Sequence, residues 1–314
     1  MLAFLFRRLR ATAFLRVACA VCLVTASAAA AKVDYQAPVA PPGAPEISLH
    51  VEEFAPVGPE RGEPLLLIHG LAASTYSWRH VAPELARGRR VIALDLRGFG
   101  RSDKPFDQRY SGADQAEHVI AFIRRRGLKR VTIVGHSFGG AVALMTTLAL
   151  NRSAPGLVKK LVLLDAPAYP QQPTPFVTFL QQPVLPYAVL TVVPPGLAAA
   201  LVFSGEGESK SPPLDVISAF AAPFYQAAAR HALISTARQI RPANWRELVA
   251  RYPSIRQPTL IVWCDHDDIV PLSSGERLAK AMPNARLEVI PGCQHSPQDE
   301  APGRFLRLMR EFLK

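Results

Sequence analysis

The 314-residue chain is 49% apolar and carries 36 lysines and arginines against 25 acids, a formal net charge of +11. Such a length and apolar content exclude a disordered chain and suit one large α/β domain with an insertion, or two small domains. The arginines lie in short scattered groups such as Arg87, Arg89 and Arg90 with no nucleic-acid-binding motif beside them, so the charge does not mark a DNA or RNA partner.

Residues 1–31 read as a signal peptide or N-terminal anchor. Arg7, Arg8, Arg10 and Arg16 precede an apolar run from Val17 to Val24 and the cleavage-like Ala26-Ser27-Ala28. The run is shorter than the ~20 residues that span a bilayer, so cleavage and export to the periplasm or medium are expected ahead of a retained anchor. Removing this segment takes Cys19 and Cys22 with it and leaves Cys264 and Cys293. Residues 32–45, with Pro38, Pro41, Pro42 and Pro45, read as a proline-rich linker.

From Ile47 to Phe54 apolar and polar residues alternate, as in a half-buried strand. Later runs are continuously apolar: Leu65 to Ile68, Val91 to Leu94, Val131 to Val134, Leu161 to Leu164 and Leu260 to Val262. These suit strands buried on both faces of a parallel sheet. Helical periodicity from Asp114 to Arg126 and from Phe138 to Leu150 fills the intervals, which predicts a doubly wound α/β domain.

The alternation breaks between Leu164 and Thr259. Eight prolines between 167 and 195 forbid a long helix there, whereas Leu214 to Ala250 reads as helical. An insertion at this point would cover the C-terminal edge of the sheet, where open α/β sheets bind ligands. The expected division is therefore a core of residues 46–166 and 255–314 with a cap of residues 167–254.

Gly135-His136-Ser137-Phe138-Gly139 follows a buried strand and opens a helix, the setting in which Gly-x-Ser-x-Gly presents a nucleophile. A nucleophilic Ser137 needs oxyanion donors and a base. His69-Gly70-Leu71 ends an earlier strand, so the backbone N–H of Leu71 is expected to join that of Phe138 as donor. Among eight histidines, His295 stands out because it follows the last strand and precedes the last helix. His69 is read as structural, His136 and His266 as structural or idle, and His50, His80, His118 and His231 have no motif around them.

With Arg97-Gly98-Phe99-Gly100-Arg101-Ser102 added to these motifs, the sequence resembles serine hydrolases of the α/β-hydrolase fold superfamily over roughly residues 46–314. The resemblance implies a mostly parallel eight-stranded sheet with a mainly helical cap after the sixth strand. It also implies a triad acid in the pattern Trp-Gly-x-x-Asp-x-x-x-Pro. Trp263, Asp267 and Pro271 match that pattern, while Asp265 and Asp268 fall off register and read as a solvated turn. Asp165, at the end of the sixth strand, stands where some relatives carry the acid and remains the alternative. Cys264 departs from the family's glycine. Because the seventh and eighth strands are neighbours in this fold, Cys264 and Cys293 could form a disulfide.

The resemblance further implies two-step acyl transfer by Ser137, His295 and Asp267 with no metal or organic cofactor. The expected substrate is a small-molecule carboxylic ester with a hydrophobic part, and apolar cap segments could touch a lipid surface. Serine at 137 argues against haloalkane dehalogenases and epoxide hydrolases, which use a carboxylate nucleophile. Carbon–carbon bond hydrolases, cofactor-free perhydrolases, lactonases and acyltransferases share the triad and remain alternatives, as does a non-catalytic binding protein of the same fold. Oligomeric state is not legible in the sequence.

Overall fold

A computed structural model describes residues 30–198 and 214–314. Apart from Ala30 and Ala31, the expected signal or anchor segment lies outside the described residues. Eight strands form one sheet: β1 (Lys32–Val39), β2 (Ile47–Phe54), β3 (Leu65–Ile68), β4 (Val91–Leu94), β5 (Val131–His136), β6 (Val158–Leu164), β7 (Thr259–Cys264) and β8 (Ala285–Ile290). Their order is β1-β2-β4-β3-β5-β6-β7-β8, with β2 antiparallel to both neighbours and every later pairing parallel. The continuous apolar runs are explained by burial on both faces: every residue of β3, β4, β5 and β7 is buried.

Two helical layers cover the sheet. One face packs against α2 (Gly112–Arg125), α3 (Phe138–Ser153) and α9 (Leu272–Ala281). The other packs against α1 (Ala82–Leu85) and α11 (Pro302–Phe312), with α10 (Pro297–Glu300) leading into α11. Helix α2 starts at a capping box, in which the Ser111 side chain accepts from the Asp114 N–H and the Asp114 side chain returns to the Ser111 N–H. Helix α3 is buried on most of its circumference because it lies between sheet and cap, and its apolar residues are correspondingly not confined to one stripe.

The structure corrects the reading of residues 32–45 as a linker, since Lys32–Val39 is the edge strand β1. Pro38 pairs with Ser48, whose N–H and C=O both bond to Asp103 instead of to β1. At such a non-hydrogen-bonded pair the strand's own amide position faces outward, so the missing proline N–H costs no ladder bond.

Between β6 and β7 the chain forms α4 (Pro175–Leu180), α5 (Leu185–Val192), α6 (Leu214–Ala221), α7 (Ala227–Arg238) and α8 (Trp245–Arg251), with further residues between α5 and α6 outside the description. The stretch from Leu214 to Ala250, expected as helical, is divided. A 3-10 turn at Ala222–Tyr225 contains Pro223, and Pro242 precedes α8, so no helix passes through either proline.

Candidate active site

Ser137 sits between β5 and α3 with φ 50°, in the left-handed region that disfavours side chains. A Cβ added at Gly135 would strike the Gly139 carbonyl oxygen, and one added at Gly139 would strike those of Ile68 and His69. Strand and helix approach too closely there for any residue but glycine, and the turn lifts Ser137 clear of the sheet.

His295 lies in the loop after β8 and presents Nε2 to Ser137 Oγ at 2.9 Å. Its Nδ1 is 2.9 Å from Oδ2 of Asp267. The carboxylate accepts Nδ1–H, which leaves Nε2 to accept the serine proton. The other oxygen, Oδ1 of Asp267, accepts the N–H groups of Ile269 and Val270, both at 2.8 Å. Trp263 closes this loop by donating Nε1–H to the Val270 carbonyl at 2.9 Å, which is the physical content of the Trp263 to Pro271 register. The Asp267 side chain is fully buried and that of His295 is 16% exposed.

The backbone of His295 is held from two sides. Glu300 Oε1 accepts its N–H at 2.9 Å and that of Ser296 at 2.6 Å, while Oε2 accepts the Gln294 N–H at 2.7 Å. From the strand side, His136 Nε2–H donates to the His295 carbonyl at 2.7 Å. Burial, and then the neighbouring His295, push the His136 imidazole down to about 3, so it stays neutral and keeps that donor. His136, read as structural or idle, thus positions the loop of the candidate base.

The turn Gly70-Leu71 abuts the nucleophile, since a Cβ on Gly70 would stand 3.2 Å from that of Ser137. Ala72 follows with φ 59°. Among the described residues neither the Leu71 nor the Phe138 N–H is bonded to a protein acceptor, and Phe138 is the first residue of α3, where amides are unpaired. His69 is buried and accepts the Leu96 N–H on Nε2 at 2.9 Å, a structural task. The Asp95-to-Ser102 segment is scaffolding too: buried Asp95 accepts from the Thr75 and Arg101 N–H groups and pairs with His50, while Ser102 Oγ donates to the Asp95 carbonyl.

Ser137, His295 and Gly70 open onto a cavity of about 1210 Å³ between core and cap, lined among others by Leu144, Met145 and Leu148 of α3, Phe176 of α4, Leu233 of α7 and Trp245 of α8. Among the described residues one cluster has ligand spacing for a metal, Asp34, His50 and Glu52. Its carboxylates already bridge Lys32 and Arg101, and His50 Nδ1 is taken by Asp95.

A profile described as the alpha/beta hydrolase family matches residues 65–308. The chain belongs to the α/β-hydrolase family. This α/β hydrolase is 30% identical over 275 residues to 2-hydroxymuconate semialdehyde hydrolase of Pseudomonas sp. (strain CF600), covering 80% of this chain and 87% of the relative. Among solved structures, an alpha/beta hydrolase fold protein from Burkholderia ambifaria superimposes with a TM-score of 0.74 at 28% identity, over 90% of this chain and 99% of that one. A meta-cleavage product hydrolase from Pseudomonas fluorescens IP01 gives 0.69 at 25% identity, over 88% and 96%.

The remaining acids of this hydrolase divide by location. Asp268 is exposed. Asp265, expected as part of a solvated turn, accepts the Gly292 N–H at 2.8 Å and so links the two loops that carry Asp267 and His295. The same loops are joined by Asp265 N–H to the Ile290 carbonyl, by His266 N–H to the Cys293 carbonyl, and by Cys264 and Cys293, which are paired as a disulfide with Cα atoms 5.0 Å apart. Asp165, the alternative acid, is buried after β6 against Asp267, and no hydrogen bond joins it to His295 among the described residues.

Proposed function

We propose that this α/β hydrolase cleaves carboxylic esters with a hydrophobic acyl or alcohol part. The observation that carries the reading is the unbroken chain from Ser137 Oγ through His295 to Asp267, with both links at 2.9 Å, opening onto a large cavity faced by Leu144, Met145 and Leu148. Ser137 attacks the ester carbonyl as His295 Nε2 takes its proton. Asp267 holds the imidazole tautomer and stabilises the imidazolium, and the N–H groups of Leu71 and Phe138 receive the oxyanion. His295 returns the proton to the leaving alkoxide, then activates water to release the acid. The cavity exceeds the ~300–1,000 Å³ of ordinary small-ligand sites, which favours long acyl chains. Purified mature protein is expected to turn over p-nitrophenyl octanoate faster than the acetate, and Ser137→Ala to lose both activities; faster acetate turnover counts against the hydrophobic substrate, and an active Ser137→Ala against the nucleophile.

Cleavage of a carbon–carbon bond on the same residues is the second reading. It is favoured by the 30% identity to 2-hydroxymuconate semialdehyde hydrolase. Arg230, whose guanidinium donates to the Phe224 and Tyr225 carbonyls, and Arg241 line the cavity from the cap and would suit an anionic substrate. Turnover of 2-hydroxymuconate semialdehyde in preference to every ester of an acyl series would establish it over the first.

We further propose that the chain is exported by its N-terminal segment and that the Cys264–Cys293 bond forms in the oxidising compartment it reaches. Two free thiols titrated in denatured, non-reduced mature protein would refute that bond. The cap presents exposed Val184, Leu185 and Tyr225 and is proposed to make transient lipid contact.

A further inference from the structure

Asp165 is a feature the mechanism above does not use. It follows the last residue of β6 with φ 44°, one of three non-glycine residues with positive φ among those described, and is fully buried. Its Oδ1 accepts the Cys264 N–H at 2.9 Å. Its Oδ2 is also buried, yet no donor reaches it among the described residues. A carboxylate oxygen in that position would lack every stabilising partner, which native interiors rarely tolerate.

The group beside it is another carboxyl, that of Asp267, within hydrogen-bonding reach. Glu300 adds further negative charge nearby, the imidazole of His295 lies beyond Asp267, and among the described residues no lysine or arginine forms an ion pair with either carboxyl. Two adjoining carboxyls buried without a cation do not both ionise, so one holds a proton that the two share. Counting donors shows which. Asp267 faces the N–H groups of Ile269 and Val270 and the Nδ1–H of His295, all of which favour a carboxylate there. Asp165 faces only the Cys264 N–H.

We propose that Asp165 keeps this proton and donates it from Oδ2 to the Asp267 carboxylate, acting as a positioning residue for the triad acid. Burial and then the charge of Asp267 push its carboxyl well above the ordinary range, in the same direction. The donation satisfies the orphan oxygen and gives Asp267 a fourth hydrogen bond. It also withdraws electron density from Asp267, so that the Nδ1 proton stays on His295 while Nε2 takes up and returns the serine proton. Because Asp165 is neutral, His295 faces one negative charge on that side and not two. The catalytic part of this inference rests on the triad reading above; the protonation itself does not.

The test uses the rate at which a fluorophosphonate labels Ser137, which needs an activated serine and no knowledge of the substrate, together with infrared spectra of the full chain. Asp165→Asn keeps an N–H donor toward Asp267 and an acceptor for Cys264, so its labelling rate is expected within about twofold of wild type, with the acid limb of the pH profile unmoved. Asp165→Ala is expected to lose labelling on the order of tenfold, the cost of one hydrogen bond to a charged group. A protonated-carboxyl C=O band present in wild type at pH 7 and missing from Asp165→Asn is expected. The proposal is overturned if that band is absent from wild type, if Asp165→Asn moves the acid limb to lower pH, or if Asp165→Ala labels like wild type. The wild-type spectrum decides the protonation even where a variant fails to fold. A wild-type chain that shows the band but is not labelled at Ser137 overturns the triad reading and the positioning role, and leaves the shared proton standing.

Discussion

The carboxylate of Glu300 grips the backbone of His295, five residues earlier in the chain, and takes the N–H groups on either side of it as well. This arrangement lets an exposed acid fix the depth at which the imidazole stands over Ser137. Glu300→Ala is expected to lower kcat on the order of tenfold, since charge-assisted bonds to three amides are lost in an exposed setting, with the fold intact by circular dichroism. Glu300→Gln, which keeps one acceptor oxygen, should fall between the two. Kinetics on p-nitrophenyl octanoate would show it; an unchanged kcat in Glu300→Ala refutes the grip.

Asp267→Asn should leave the geometry nearly intact and cost on the order of 10⁴ in kcat, because an amide offers the wrong tautomer to His295. Asp165→Asn should cost almost nothing. A reversed order of the two losses, measured side by side, would transfer the role of triad acid to Asp165.

The neutral His136 predicts how stability depends on pH. Its ordinary value of 6.5 is pushed down to about 3 in the folded chain, so below about pH 6.5 the unfolded chain binds a proton that the folded chain refuses. Its contribution is full above about pH 6.5 and is lost as pH falls towards 3, by up to about 1.4 kcal/mol per pH unit. Burial pushes His69 and His118 in the same direction. Urea midpoints between pH 8 and pH 4 should therefore fall with pH, and the slope should be shallower by about one proton in His136→Gln; equal slopes would contradict the assignment.

The disulfide spans a separation of 29 residues, which corresponds to about 3–4 kcal/mol of loop-closure stabilisation in the oxidised chain. Replacing both Cys264 and Cys293 by serine should lower unfolding stability by that order. Activity at 25 °C should change by only a few-fold, because the Asp265, His266 and Gly292 amides still join the same loops. A large loss of activity without loss of stability would show that the sulfurs serve the site directly.

What could be read from the sequence follows from how local each signal is. The central strands announced themselves because burial on both faces leaves no polar residue in Leu65–Ile68 or Val91–Leu94. The elbow at Ser137 was legible because two glycines, Gly135 and Gly139, answer a local steric demand. Strand β1 was hidden because its prolines were read without the partner strand that makes one of them harmless. Glu300 and His136 carry no motif of their own, and their roles exist only once chain return brings them to the His295 backbone. A signal for Glu300 was nevertheless present, as an acid in the first turn of a helix that opens next to the base. The proximity of Asp165 to Asp267 depends on β6 and β7 being neighbours, which a list of strands in chain order does not state.

The outward-facing amide position of Pro38 has one more consequence. A sheet of this kind ends in two strands whose outer backbone groups invite pairing with another chain, a common route to aggregation. At β1 the proline removes one of the donors such a pairing would use, and Arg286 and Glu288 place exposed charge on β8 at the other end. Among the described residues nothing pairs with either margin, and a residue that contributes nothing to the site is one of the guards of the β1 edge.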